Sequence, residues 1–210
     1  MRRLSDFDAV TIDAFGTLVE LLDPVPELTA ALHERGVACT TDQVARGVGA
    51  EFAYYRARTT EGADDVTLER LRHACTQVFL DAAEVDIGAA SFTRTYVEAL
   101  RFRPLPGVPE ELDRLAARGV ALAVVSNWDA SLAETLRQLE LDRYFAVVVT
   151  SAEAGVAKPD PRPFRLALER LGAEARRAVH VGDGTADEEG ARAAGMAFVP
   201  APLPGALGDA

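Results

Sequence analysis

Five residues scattered along this chain have the types needed for a charged reaction centre: Asp13, Ser126, Lys158, Asp183 and Asp187. Asp13 follows the short β-branched segment Ala9-Val-Thr-Ile12 and leads into a Gly16-Thr17 turn. That is the pattern of a buried strand ending on a carboxylate. In open α/β sheets the carboxyl ends of the strands form the crevice where ligands bind. Gly16 lets the backbone turn tightly beside Asp13, and the free N–H groups of such a turn can face an anion. Taken alone, an Asp here reads equally well as a turn cap. Lys158 sharpens the case because it is the only lysine, every other basic side chain except histidine being arginine. Its compact ammonium suits a place where one point charge sits between an anion and a carboxylate.

Alternating strands and helices must position these groups. From Pro104 onward the chain reads as a helix over about Pro109 to Arg118 and then the apolar run Val120-Ala-Leu-Ala-Val-Val-Ser-Asn127, of the kind parallel strands show. A helix capped by Asp129 follows, carrying Leu132, Leu136 and Leu139, and then a third strand, Tyr144 to Thr150. Asp160-Pro161 opens another helix, closed by Gly172; Ala178-Val-His-Val181 and Met196-Ala-Phe-Val199 are the fourth and fifth strands. Residues 200–210 read as a loose end. Such alternation requires a parallel sheet with right-handed crossovers, so the strand ends open on one edge. That edge receives Asp13, Thr17, Ser126, Asn127, Lys158, Asp183 and Asp187. Between Pro24 and Phe102 the period is helical throughout, with four amphipathic segments that predict a small bundle.

Composition narrows the partners. An apolar fraction of 49% with 26% charged residues is that of a globular protein. A net charge of −11 argues against nucleic acid and anionic membranes and leaves a small anionic substrate in a locally positive pocket. No apolar run reaches membrane-span length, and the N-terminal residues lack a signal-peptide apolar region, so the expected location is cytoplasmic. Cys39 and Cys75 lack metal-ligand spacing and read as reduced packing residues. Monomer and homodimer both remain open.

Four stretches in order, Asp13-Ala-Phe-Gly-Thr-Leu18, Val124-Val-Ser-Asn127, Gly155-Val-Ala-Lys-Pro-Asp-Pro161 and His180-Val-Gly-Asp-Gly-Thr-Ala-Asp187, resemble the motifs of the haloacid dehalogenase-like (HAD) hydrolase superfamily. The resemblance spans about residues 5–20 and 104–200. It implies an α/β fold with a doubly wound parallel, Rossmann-like sheet, built from residues 1–20 and 104–210. The helical insertion, residues 21–103, falls where family members with a helical cap carry theirs. It further implies Asp13 as nucleophile, with Ser126 and Lys158 binding the transferring group. Asp13, Asp183 and the Phe15 carbonyl would hold Mg²⁺, steadied by Asp187. Gly16, Thr17 and Asn127 would line the substrate, and Arg56 and Arg58 of the cap would recognise an anionic or planar part of it.

One position departs from the family pattern. Phosphatases of this family usually carry a second Asp two residues after the nucleophile, as general acid and base; here Phe15 stands there. Three readings follow. The first is a Mg²⁺-dependent phosphatase acting on a small phosphorylated metabolite, with another acid or an acidic leaving group. The second is a 2-haloacid dehalogenase, against which stand Asp183 and Asp187 and the Phe at 164. The third is a non-catalytic binding protein. His33 and His73 are candidate replacement acids, although a helix-face role accounts for them equally; His180 reads as a packed strand residue, and Trp128 as pocket wall or wedge.

Overall fold

The computed structural model describes residues 4–208. Five parallel strands form the central sheet: β1 (Ala9–Ile12), β4 (Ala121–Ser126), β5 (Val147–Thr150), β6 (Ala178–Gly182) and β7 (Ala197–Pro200), in the order β5-β4-β1-β6-β7. Ile12 pairs with Val124 on one side and Val181 on the other, so β1 is central and Asp13 emerges between two neighbours. The fold is thus the doubly wound parallel α/β arrangement predicted.

The apolar run of β4 is explained by burial on both faces. Leu122 and Val124 pack with α5 (Val108–Ala117) and α6 (Leu132–Gln138), whereas Ala123 and Val125 face α8 (Arg162–Leu171) and α9 (Thr185–Ala193). With side chains alternating across the sheet, each face needs its own apolar set, and no polar position remains. Helix α7 (Ser151–Ala154) is a single turn after β5.

Four helices interrupt this core: α1 (Val25–Glu34), α2 (Thr41–Arg56), α3 (Asp65–Ala82) and α4 (Ala89–Ala99). Their apolar stripes meet around Leu28, Leu32, Val44, Phe79, Phe92 and Tyr96. Thr40 and Gln43 form a capping box at the start of α2, and Asp64 with Thr67 does the same for α3, which fixes where both helices begin. The insertion leaves and rejoins the core through a feature that the residue pattern does not predict, an antiparallel pair of three-residue strands, β2 (Val19–Leu21) and β3 (Phe102–Pro104). Three residues are too few to show a period.

Several expectations need correction. The third strand starts at Val147, because Asp142–Tyr144 forms a 3₁₀ turn that carries the chain from α6 into the sheet. Asp129 is not the cap residue of α6: Ser131 holds that place, and the Asp129 carboxylate accepts from its N–H at 2.8 Å. Asp160 likewise sits one residue early, accepting from the Arg162 N–H at 2.9 Å while Pro161 takes the cap position. The C-terminal stretch is not loose. Leu203 and Leu207 are buried in the core, and the Leu4 N–H donates to the Gly208 carbonyl. Residues 1–3 and 209–210, on which parts of the N-terminal and tail expectations fall, lie outside the described residues. Among the described residues both cysteines are free, Cys75 buried and Cys39 half-buried, and no helix is long and apolar enough to cross a membrane.

Candidate active site

At the carboxyl edge of the sheet, the segments that follow β1, β5 and β6 and the end of β4 converge on one ammonium. Lys158 Nζ donates to Asp13 Oδ1 and Asp187 Oδ1, both at 2.5 Å, and to the Val125 carbonyl at 2.9 Å. Lys158 is 7% exposed, Asp13 6% and Asp187 4%, so this is a buried charge cluster. Burial alone would lower the Lys158 ammonium, but the charges of Asp13 and Asp187 outweigh it and hold the group above its ordinary value.

The chain around Lys158 is pinned by Asn127. The Asn127 Nδ2 donates to the Lys158 carbonyl at 3.1 Å, and the Lys158 N–H donates to Asn127 Oδ1 at 2.7 Å. The Asn127 amide therefore fixes the loop that presents the ammonium, a tie between residues 31 apart in sequence.

Asp187 is held from a second direction. His180 Nε2 lies 3.0 Å from Asp187 Oδ1, and His180 Nδ1 lies 2.8 Å from Thr11 Oγ1. A carboxylate only accepts, so Nε2 carries the proton and the Thr11 hydroxyl donates to Nδ1. Burial lowers the imidazole and keeps it neutral. For Asp187, burial would raise the carboxyl, but hydrogen bonding from His180 and the charge of Lys158 prevail and hold it well below the usual range. The Gly184 N–H donates to Asp187 Oδ2 at 3.1 Å, which leaves both oxygens engaged. His180 thus does more than pack in its strand. The sequence carries a signal for this: an imidazole inside an apolar run, on a strand buried on both faces, must find a polar partner.

Asp183 completes the group. Ligand atoms of Asp13, Asp183 and Asp187 all lie within 4.8 Å of one another. The Asp183 carboxyl is raised, first by burial and then by the charges of Asp13 and Asp187. Two glycines make this approach feasible. A Cβ on Gly16, whose φ is +83°, would sit 2.4 Å from Asp183 Oδ2, and a Cβ on Gly182 would sit 2.4 Å from Asp187 Cγ. Three carboxylates facing one ammonium carry an excess of two negative charges (three minus one), in an oxygen-only donor set. That composition fits a hard divalent cation such as Mg²⁺.

Above the cluster is a cavity of about 860 Å³, enclosed between the sheet edge and the helical insertion. Asp13, Ser126, Asn127, Lys158, Asp183 and Asp187 line its core side, while Phe15, Phe52, Tyr55, Leu71, Leu100 and Phe102 make much of its wall apolar. The Phe15 ring is 37% exposed and packs on Phe52 of α2, with centroids 5.7 Å apart. Arg56 lines the cavity with its guanidinium 5.8 Å from the Phe52 ring centre. Arg58 is elsewhere, over Tyr54 at 3.8 Å and 3.8 Å from Glu61. Gly16 and Thr17 border a smaller neighbouring pocket that also touches Asp183, and the buried Thr17 hydroxyl has no hydrogen-bond partner there.

Sequence reasoning missed the polar wall of the cavity. Tyr55 donates to Asp129 Oδ2 at 3.0 Å and ties α2 to the loop after β4. Glu51 is also on this wall and accepts from the Tyr96 hydroxyl at 2.8 Å. Both fall on the stripe Val44, Val48, Glu51, Tyr55, whose helical spacing places them on the inward face.

Comparison with known proteins agrees with this geometry. A family model described as haloacid dehalogenase-like hydrolase matches residues 7–195. A phosphoglycolate phosphatase of Mesorhizobium japonicum is 31% identical over 193 residues, covering 90% of this chain and 80% of that protein. The human haloacid dehalogenase-like hydrolase domain-containing protein 3 is 38% identical over 133 residues, which span 63% of this chain and 52% of the human protein. Among solved structures, L-2-haloacid dehalogenase from Xanthobacter autotrophicus aligns with a TM-score of 0.69 at 22% identity, over 91% of this chain and 76% of the other, which shows a shared fold. A sheet edge that gathers these four motifs, in a chain matched along nearly its whole length, is that of a hydrolase belonging to the haloacid dehalogenase-like family.

Proposed function

We propose that this hydrolase is a Mg²⁺-dependent phosphatase for a small phosphorylated metabolite, with Asp13 as nucleophile. The observation that carries the reading is the buried Lys158 ammonium between Asp13 and Asp187, with the exposed carboxylate of Asp183 beside them. Its relatives named phosphoglycolate phosphatase, aligned over most of the chain, support the same class of reaction.

Asp13 Oδ attacks phosphorus while the bond from phosphorus to the leaving-group oxygen breaks, and the electron pair departs with that oxygen. The resulting aspartyl phosphate is then cleaved by water, releasing inorganic phosphate and restoring the carboxylate. Lys158 holds Asp13 in place and, with Ser126, faces the phosphoryl oxygens where charge gathers. Asp13, Asp183 and the Phe15 carbonyl would hold the cation. Asp187, whose oxygens are both engaged, steadies its surroundings. Bound Mg²⁺ supplies neutralising charge at the phosphoryl group. Gly16, Thr17 and Asn127 shape the floor and Arg56 the mouth, while residues 21–103 act as a cap that keeps water out during transfer. The location is cytoplasmic on this reading.

Phe15 sets the limit on substrates. Without a carboxyl at that position, the leaving group is acidic enough to depart unprotonated, as an acyl or aryl phosphate allows. The dehalogenase alternative fits less well, because it uses Asp13 but leaves Asp183 and Asp187, clustered with it, without a use.

The test is turnover of acetyl phosphate, p-nitrophenyl phosphate, a sugar phosphate and 2-chloropropionate, each with Mg²⁺ and with EDTA, in the wild type and Asp13→Asn. Phosphate release that needs Mg²⁺, vanishes in the variant and falls as the leaving group becomes less acidic supports the proposal. Chloride release in EDTA would overturn it.

A further inference from the structure

Among the described residues, two buried carboxylates on the cavity wall, Asp129 and Glu51, are not used by the reaction above; Asp129 is held by the Tyr55 hydroxyl and by Ser131, which leaves Glu51. It lies on α2 at 6% exposure, with Tyr96 of α4 donating to Oε2 at 2.8 Å. Burial pushes the Glu51 carboxyl up, and the Tyr96 hydroxyl and the neighbouring Cys75 thiol offset only part of that. Among the described residues no lysine or arginine forms an ion pair with it. A buried carboxylate without a counter-ion is costly, so natural proteins pair such groups or neutralise them. This one opens onto the cavity that also holds Asp13 and Lys158.

The arginines on the same wall have other surroundings. Arg101 is exposed and paired with Glu27, and exposed Arg56 lies over Phe52. Arg72 is half-buried on α3, so its charge stays partly solvated. A leaving group that ends in a carboxylate would meet Glu51 across an apolar space of low dielectric, where like charges repel strongly. One that ends in a donor would supply the missing partner.

Resting on the reading of Asp13 as a phosphatase nucleophile, we propose that Glu51 is a specificity-determining residue: it receives an ammonium or hydroxyl carried at the far end of the leaving group. The preferred substrates are therefore phosphate esters or anhydrides whose leaving group has an apolar middle and a terminal hydrogen-bond donor, and those ending in a carboxylate are disfavoured.

Phenyl phosphate provides a scaffold on which only the far end varies. We would measure kcat/KM with Mg²⁺ for phenyl phosphate and for its 3- and 4-aminomethyl and 3- and 4-carboxy derivatives. The expected result is a preference of at least about tenfold for the better aminomethyl over the better carboxy isomer, the scale of one charge-assisted hydrogen bond. In Glu51→Gln that ratio should shrink to within about threefold. Taken within each variant, the ratio cancels any general loss of active protein. Glu51→Met, which keeps the volume and removes the buried charge, serves if the amide variant does not fold. A wild-type ratio near one, or one favouring the carboxylate, overturns the inference and points to Arg72 or Arg56 instead. So does a ratio that survives both substitutions. No turnover of phenyl phosphate or its derivatives while acetyl phosphate is hydrolysed would overturn the inference alone; no turnover of acetyl phosphate either would refute the phosphatase reading, and the inference with it.

Discussion

The ring of Phe15, two residues beyond Asp13, meets the ring of Phe52 on helix α2, with centroids 5.7 Å apart and planes inclined at 50°. At the position where the family resemblance implies an acid, this chain makes an apolar contact between the sheet edge and the helical insertion.

Phe15→Asp should therefore restore a proton donor while removing that contact. On a sugar phosphate, kcat/KM should rise by about 10²-fold or more, the lower end of what a positioned general acid contributes. Acetyl phosphate, whose leaving group needs no proton, should gain far less. Steady-state rates on the two substrates decide it, and an equal change on both would place the acid elsewhere.

Lys158→Met leaves Asp13 and Asp187 facing each other with no cation between them. Breaking a buried ion pair on one side costs about 3–5 kcal/mol, and turnover should fall by about 10²-fold or more. Lys158→Arg should not rescue it, because the planar guanidinium cannot occupy a site built on three short bonds from one nitrogen. Urea unfolding and kcat are the measurements. An active Lys158→Arg would show that only charge is needed there.

Gly16→Ala puts a methyl 2.4 Å from Asp183 Oδ2 on a backbone with φ of +83°. The carboxylate must move, so the Mg²⁺ concentration for half-maximal turnover should rise by about tenfold or more, the usual cost of disturbing groups around a metal. A Mg²⁺ titration of activity, with circular dichroism to confirm folding, checks this.

Glu51 gives stability a pH dependence of known sign. Its folded carboxyl is raised above the ordinary value of 4.5. A raised acid stabilises the folded state while protonated, and that contribution is lost as pH climbs from the unfolded value through the folded one. The Tm of Glu51→Gln minus that of the wild type should become more positive as pH rises from 4.5. A difference that does not change with pH would mean the carboxylate is better solvated than its burial indicates.

Leu203 is fully buried against the core that also holds Leu4 and Leu112. Leu203→Ala should cost about 2–5 kcal/mol, as for other buried leucines. A shift in the urea midpoint measures it. No shift would mean that the terminal stretch packs on the core without contributing to it.

Much of this molecule is legible from residue order alone. Parallel strands buried on both faces are mostly apolar, so β4 stands out as an apolar run, and the strand-to-loop transitions place Asp13, Ser126, Lys158 and Asp183 on one edge of the sheet. The helical stripe of α2 is equally plain, since its period is local. Short elements are not: β2 and β3 acquire their form only by pairing with each other across some 80 residues of intervening chain.

The tertiary structure alone decided which polar groups touch. Asn127 grips the backbone of Lys158, His180 reaches Asp187, Tyr55 crosses from α2 to Asp129, and Arg58 turns away from the cavity while Arg56 borders it. Each of these contacts depends on how helices and loops close over the sheet edge, and hydrogen bonds form only over a few ångströms. The types and order of residues determined which groups the edge would offer. Packing between distant segments decided that one ammonium would hold two carboxylates, and that Glu51 would sit buried and without a counter-ion on the wall of the same cavity, where a substrate can supply one.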